Sequence, residues 1–166
     1  MQSKGMTILA HTMFTAADLP ARDSSGEYEL GHGVTIEWLD NGRMVVFRLS
    51  QASRDAIDRY MVAKLALIRN WNPREPLAFI SDGSHPDLAM TPYMRAKLPE
   101  IGAALRIYGI KSYAAVVIRK GVVGSLIRTF ANRFYRKAGD MELAYFSTCA
   151  DALDWLREKL DSAADI

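Results

Sequence analysis

A single cysteine, Cys149, stands among the 166 residues, so the chain cannot close an internal disulfide. That scarcity fits a reducing compartment. Histidine is scarce too: His11, His32 and His85 are the three, and none forms a paired-histidine metal motif. No Gly-x-Ser-x-Gly elbow occurs. Gly121, Gly124 and Ser125 lie in a Gly-Val-Val-Gly-Ser run that lacks the Gly-Lys-Ser/Thr ending of a phosphate-binding loop. No apolar run approaches the roughly 20 residues needed to span a bilayer. The first 13 residues carry a short apolar stretch broken by His11 and Thr12, with no clear cleavage site after it. These absences set the first expectations: a cytoplasmic protein that is not transmembrane, with no metal, no cofactor and no catalytic residues.

Acidic residues are missing from one long stretch. Residues 106–139 hold Arg106, Lys111, Arg119, Lys120, Arg128, Arg133, Arg136 and Lys137, but no Asp or Glu. The rest of the chain then carries 13 basic against 19 acidic residues, a net of −6, within a chain whose total is +2. Such segregation attracts anionic partners, or simply forms a solvated face beside an acidic one.

What is present is ordinary globular material. Apolar residues make up 49% and charged residues 24%, enough to bury a core without staples. Val34, Ile36 and Trp38 alternate with Thr35 and Glu37, the period of a half-buried strand. Asn41 and Gly42 tolerate positive φ, and a more apolar run over 43–49 follows, which predicts a hairpin with a type I′ turn. Ser50 or Ser53 can cap the next helix, with Ile57, Met61, Leu65 and Ile68 as its buried stripe. Residues 77–80 read as a short buried strand. Thr91 followed by Pro92 starts a helix whose buried face is Met94, Leu98, Ile101 and Leu105. Pro99 interrupts it, predicting a kink or two short helices. Residues 113–118 form a continuous apolar run, as in a central parallel strand. A helix over 122–138, a strand over 141–146 and a final helix capped by Thr148 with Asp151 complete the order.

That order predicts one α/β domain over residues 33–161: a mostly parallel five-stranded sheet with an antiparallel N-terminal hairpin strand and four helices. Residues 1–32 read as a partly irregular arm, with a polar turn at 23–26, and residues 162–166 as a tail.

The C-terminal half carries a resemblance. Tyr113, Ala114, Ala115, Val116, Val117 and Ile118 lead into a helix with Arg128 and the run Phe130, Ala131, Asn132, Arg133, Phe134. Tyr145, Phe146, Ser147 and Thr148 then precede an Ala-Asp-Ala-Leu-Asp-Trp-Leu helix from Ala150 to Leu156. Over about residues 34–160 this pattern resembles the STAS domain family and its SpoIIAA-like, STAS/SEC14-like bacterial relatives. The resemblance implies a non-catalytic regulatory or protein-interaction domain. It also implies a phosphorylated serine in an Asp-x-Ser-Gly turn for the anti-anti-sigma branch. Here the corresponding place holds Met90, Thr91, Pro92 and Tyr93, without that turn.

Two loops are candidate sites. Asp82, Ser84, His85 and Asp87 follow a parallel strand, where open α/β sheets bind ligands. The alternative is a solvated loop whose side chains bond their own backbone. Arg119, Lys120, Gly121 and Ser125 open the basic helix, with Arg128 farther along. Free amides and cations there suit an anion, and the helix-end charges Arg133, Arg136 and Lys137 can also be explained by the dipole. Cys149 reads as a small structural residue or, at a helix start, as a thiol of lowered pKa. The expected partners are a protein, including a second copy in a homodimer, or else a small anionic ligand or lipid. The absence of a recognised motif or aromatic platform argues against nucleic acid.

With no phosphoacceptor turn, Thr91 is expected to spend its hydroxyl on capping, an interaction worth about 0.5–2 kcal/mol. Intact-mass measurement on protein from its own host should show no stoichiometric phosphate on Thr91; a dominant singly phosphorylated species mapped there would restore the switch.

Overall fold

The computed structural model describes residues 14–135 and 139–165, so His11, Arg136 and Lys137 lie outside it, as does the end of the helix expected to reach residue 138. The sheet has six strands, not five, in the order β1-β2-β3-β4-β5-β6. The additional strand is β1 (Glu27–Gly31), drawn from the arm. It pairs antiparallel with β2 (Val34–Leu39) across a tight turn whose residues His32 and Gly33 have φ of 55° and 75°. Only Leu30 of β1 is buried, so its sequence carries no alternating apolar signal.

β2 pairs antiparallel with β3 (Met44–Leu49) around the expected turn. Asn41 and Gly42 have φ of 56° and 78°, and the Arg43 amide donates to the Asp40 carbonyl at 3.2 Å. Two positive φ values inside one such bond are the type I′ geometry that matches strand twist. From β3 onward the sheet is parallel: β4 (Leu77–Asp82), β5 (Ser112–Val117) and β6 (Met141–Phe146). Every residue of β5 is buried, as its unbroken apolar run requires.

The helices divide between the two faces. α1 (Arg54–Arg69) is capped by Ser53, whose hydroxyl accepts from the Ala56 amide at 3.2 Å. Proline splits the next helix as expected, into α2 (Pro92–Lys97) and α3 (Pro99–Ile107). Thr91 caps α2, accepting from the Met94 amide at 3.1 Å. α4 (Val122–Tyr135) follows β5, and α5 (Cys149–Ala164) follows β6, capped by Thr148. Helices α1, α2 and α3 cover one core with Val45, Phe47, Phe79 and Ala114 of the sheet. α5 alone covers the other, through Ala152, Leu156 and Leu160 on Met44, Val46, Ile80 and Ala115.

α4 is lightly held on the first face for its length. Only Gly124, Ile127 and Ala131 are buried, while Val122 and Leu126 point outward. Gly124 lets the first turn close onto the strand exit: a Cβ there would stand 1.9 Å from the Arg119 carbonyl oxygen. Glycine-to-alanine exchange within a helix ordinarily gains about 1 kcal/mol. At Gly124 the sign should reverse, since a backbone oxygen must move; Gly124→Ala is expected to lose about 1–3 kcal/mol in denaturant melting.

Candidate functional site

The crossovers deliver the carboxyl ends of β3, β4 and β5 to one edge of the first face, and a cavity opens there. Leu49, Ser81 and Val116 supply its floor, α1 gives Ile57 and Tyr60, and α2 gives Met94 with Leu98 beside it. Ile127, Ala131 and Phe134 of α4 form its roof. The cavity is about 70 Å3 and opens to solvent at its mouth. The cavity is therefore narrow, and α4 walls it through few buried residues.

Its polar end is small and specific. Phe47, Ser81 and Val116 stand side by side across β3, β4 and β5. Ser81 Oγ lies 2.6 Å from Lys64 Nζ and 3.1 Å from Tyr60 Oη. Lys64 is 2% exposed, and its ammonium sits over the rings of Phe79, Tyr60 and Phe47 at 4.4, 4.8 and 5.3 Å. Ring faces offset part of the lost hydration. Burial nevertheless pushes the Lys64 pKa down from 10.5 to about 7. Burial also raises Tyr60, to about 12, and Tyr135 of α4. The sequence held a signal for Lys64: with Ile57, Tyr60, Met61 and Ile68 it falls on one helical stripe, so a lone charge sits on the buried face. Leu65, expected on that stripe, is half-buried at its margin.

The polar loop lies at the same edge but faces a second cleft. Asp82, Ser84 and His85 line it with Glu27, Glu29 and Arg48. Asp82 Oδ1 accepts from the Ser84 amide at 3.0 Å and the Ser84 hydroxyl at 2.6 Å. His85 Nδ1 accepts from the Asp87 amide at 3.2 Å. Arg48 lies 2.7 Å from Glu37, 3.0 Å from Glu27 and 3.9 Å from Asp82. The Glu27 approach is an attraction rather than an aligned bond, since Arg48 Nη1 has no hydrogen-bond partner. Among the described residues no cluster of three or more metal-ligating side chains occurs.

The basic turn is spread out. Arg119 Nη2 donates to the Pro86 carbonyl at 3.1 Å, tying this turn to the polar loop. Arg128 lies over the Tyr145 ring at 5.0 Å, toward β6. Lys120, Gly121 and Ser125 are exposed, and the Ser125 amide is used by the Gly121 carbonyl at 3.0 Å. Cys149 opens α5 on the opposite face. Its thiol donates to Asp82 Oδ2 at 3.4 Å, and burial followed by the Asp82 charge pushes its pKa up to about 11. The carboxylate outweighs the helix dipole, and the thiol stays protonated at neutral pH.

Lys64 has a stability signature. Between about 7 in the folded chain and 10.5 unfolded, the unfolded chain holds a proton that the folded chain has released. Stability from this group therefore rises with pH from about 7 upward, until Cys149, raised from 9.0, works the other way above pH 9. Lys64→Met removes the dependence and leaves Tyr60 to Ser81 intact. It should be more stable than wild type near pH 6.5 by about 1–4 kcal/mol, with the gap shrinking by about pH 9, as replacement of a buried charge by an apolar group predicts. Parallel denaturant melts at the two pH values read this directly; a gap independent of pH would mean that Lys64 is not buried as a charge.

Comparison of the chain with protein-family models, with curated proteins and with solved structures gives no match in any of the three, so the use of the cavity has to be read from its own residues.

Proposed function

We propose that this domain is a non-catalytic, STAS-like binding module, and that the cavity beneath α4 takes a small, largely apolar molecule. The observation that carries this reading is the cavity itself: apolar walls from three helices and three strand ends, closing on the hydroxyls of Ser81 and Tyr60 with Lys64 bonded to Ser81 behind them. Ligand sites have this composition, an apolar lining with a few placed polar groups. They also have this position, outside the carboxyl ends of parallel strands. Of the titratable groups nearby, Lys64 alone, at about 7, could exchange a proton near neutral pH. The phenols are held neutral, and the thiol is both deactivated and on the other face.

A second reading, regulation through a protein partner or a second copy of the chain, is favoured by the outer side of α4. Val122, Val123 and Leu126 are 78%, 40% and 48% exposed, beside Arg119 and Lys120 on the preceding turn. An apolar patch rimmed by cations is a usual docking feature. Among the described residues no helix is long and apolar enough to cross a membrane. Both readings place the working surfaces on α4, one beneath it and one above.

Nile red, a neutral apolar dye, should brighten on binding the wild type. Ala131→Phe, which fills the roof of the cavity, should abolish most of that gain while melting cooperatively. Mass spectrometry of an organic extract of protein from its own host should recover a co-purifying molecule from wild type and not from Ala131→Phe. Equal dye binding by both proteins would place the dye elsewhere and reject the cavity as the site.

A further inference from the structure

We propose that the molecule held beneath α4 carries a carboxylate, which accepts from the Ser81 hydroxyl and serves as the counter-ion that Lys64 lacks. This rests on the reading of the cavity as a binding site and names the class of ligand: a medium-chain carboxylic acid, apolar along its length and singly charged at one end.

The first support is a charge without a partner. Among the described residues no carboxylate lies within ion-pair distance of Lys64. The nearest acids in the sheet stand on its other face. Glu37 is spent on Arg48, and Asp82 points to Ser84, Cys149 and Arg48. The titratable residues lining the cavity are Tyr60 from α1 and Tyr135 from α4, both held neutral by burial, and Asp82, whose carboxylate is turned to Ser84, Cys149 and Arg48. The facing residues of α2 and α3, Met94, Leu98, Ile101 and Leu105, are apolar. A buried ammonium bonded only to a neutral hydroxyl is an incomplete arrangement, because burying a charge is expensive unless it is paired.

The second support is a hydrogen count. A serine hydroxyl has one hydrogen to give and two lone pairs to receive. Ser81 Oγ receives from Lys64 Nζ at 2.6 Å and from Tyr60 Oη at 3.1 Å. With Lys64 charged, both lone pairs are taken and the Ser81 hydrogen is left over. Ser81 lines the cavity, so that hydrogen serves an acceptor entering from the α4 side. A ligand oxygen at Ser81 is thereby linked to the ammonium through one hydroxyl.

The size of the polar end selects the charge. One ammonium balances one carboxylate, whereas a phosphate brings about −2 near neutral pH and three oxygens to satisfy. The polar end has the hydroxyls of Ser81 and Tyr60, with Tyr135 near Tyr60, and no arginine. The cavity of about 70 Å3 encloses the head of the acid, and the tail runs past Leu98, Ile127 and Phe134 and out through the mouth.

Binding of this kind takes up a proton. Lys64, at about 7 when the cavity is empty, becomes fully charged beside a carboxylate, so affinity should fall as pH rises through that value. The carboxylate itself stays ionised throughout this range.

Decanoate, decanol and methyl decanoate test this by competition against Nile red, in wild type and Lys64→Met, at about pH 6.5 and about pH 8.5. At the lower pH wild type should prefer decanoate over the alcohol and the ester by about tenfold or more. The preference should shrink at the higher pH and vanish in Lys64→Met, which still takes the alcohol. Equal affinity for acid and alcohol in wild type would overturn the carboxylate and leave the cavity reading standing. So would an acid preference that survives in Lys64→Met. If none of the three displaces the dye, the cavity reading itself fails. Should Lys64→Met not fold, the wild-type ratio of acid to alcohol at the two pH values decides the matter alone.

Discussion

Parallel strands laid down in sequence order leave little freedom to the helices between them. Each crossover from β3 to β4, β4 to β5 and β5 to β6 is right-handed by the usual twist of strand and helix, and successive crossovers in one direction fall on one face. Four helices must then share that face, while α5, with no strand after it, is left to cover the other. The crowding has a structural result. α1 takes the centre and buries nine residues, and α4, arriving last, buries three. The cavity lies where the last helix fails to fill the space left by the earlier ones, and it lies at the carboxyl edge because every parallel strand ends there.

Much of this order was legible. Asn41 and Gly42 announced the hairpin, Pro99 the broken helix, and Thr148 the start of α5, because each acts through local backbone chemistry. β1 was not legible for an equally physical reason. It is an edge strand with one buried residue, held by its pairing to β2 rather than by an apolar face. Its signal was in the turn, since His32 and Gly33 take the same left-handed pair of conformations as Asn41 and Gly42. Histidine is an unusual first residue for that turn, so the sequence gives little warning.

The site was harder to see than the fold. The polar loop and the basic turn look chemical because their charged residues cluster along the chain. The structure ties much of that chemistry into local contacts. Asp82 turns back on Ser84, His85 supports the Asp87 amide, and Arg119 is spent on the Pro86 carbonyl. The donors that converge in the cavity come from separate elements, Tyr60 and Lys64 from α1 and Ser81 from β4. A lysine among leucines reads as a side chain that snorkels to water. Only the sheet packed beneath α1 shows that this one cannot.

Arg48 and Lys64 make the contrast plain. They sit on opposite faces of the same part of the sheet. Arg48 has three carboxylates within 4 Å and a polar cleft beside it. Lys64 has a serine and three ring faces, one of them the Tyr60 phenol. The first arrangement balances its charge. In the second, an apolar side chain of similar length would fill the space with no charge to desolvate, and folding would gain by it near neutral pH. Packing therefore accounts for a long side chain at position 64 but not for its ammonium. A charge that opposes the fold, placed behind a hydroxyl that lines a narrow apolar cavity, supports the proposed binding site more specifically than any cluster of exposed charges among the described residues.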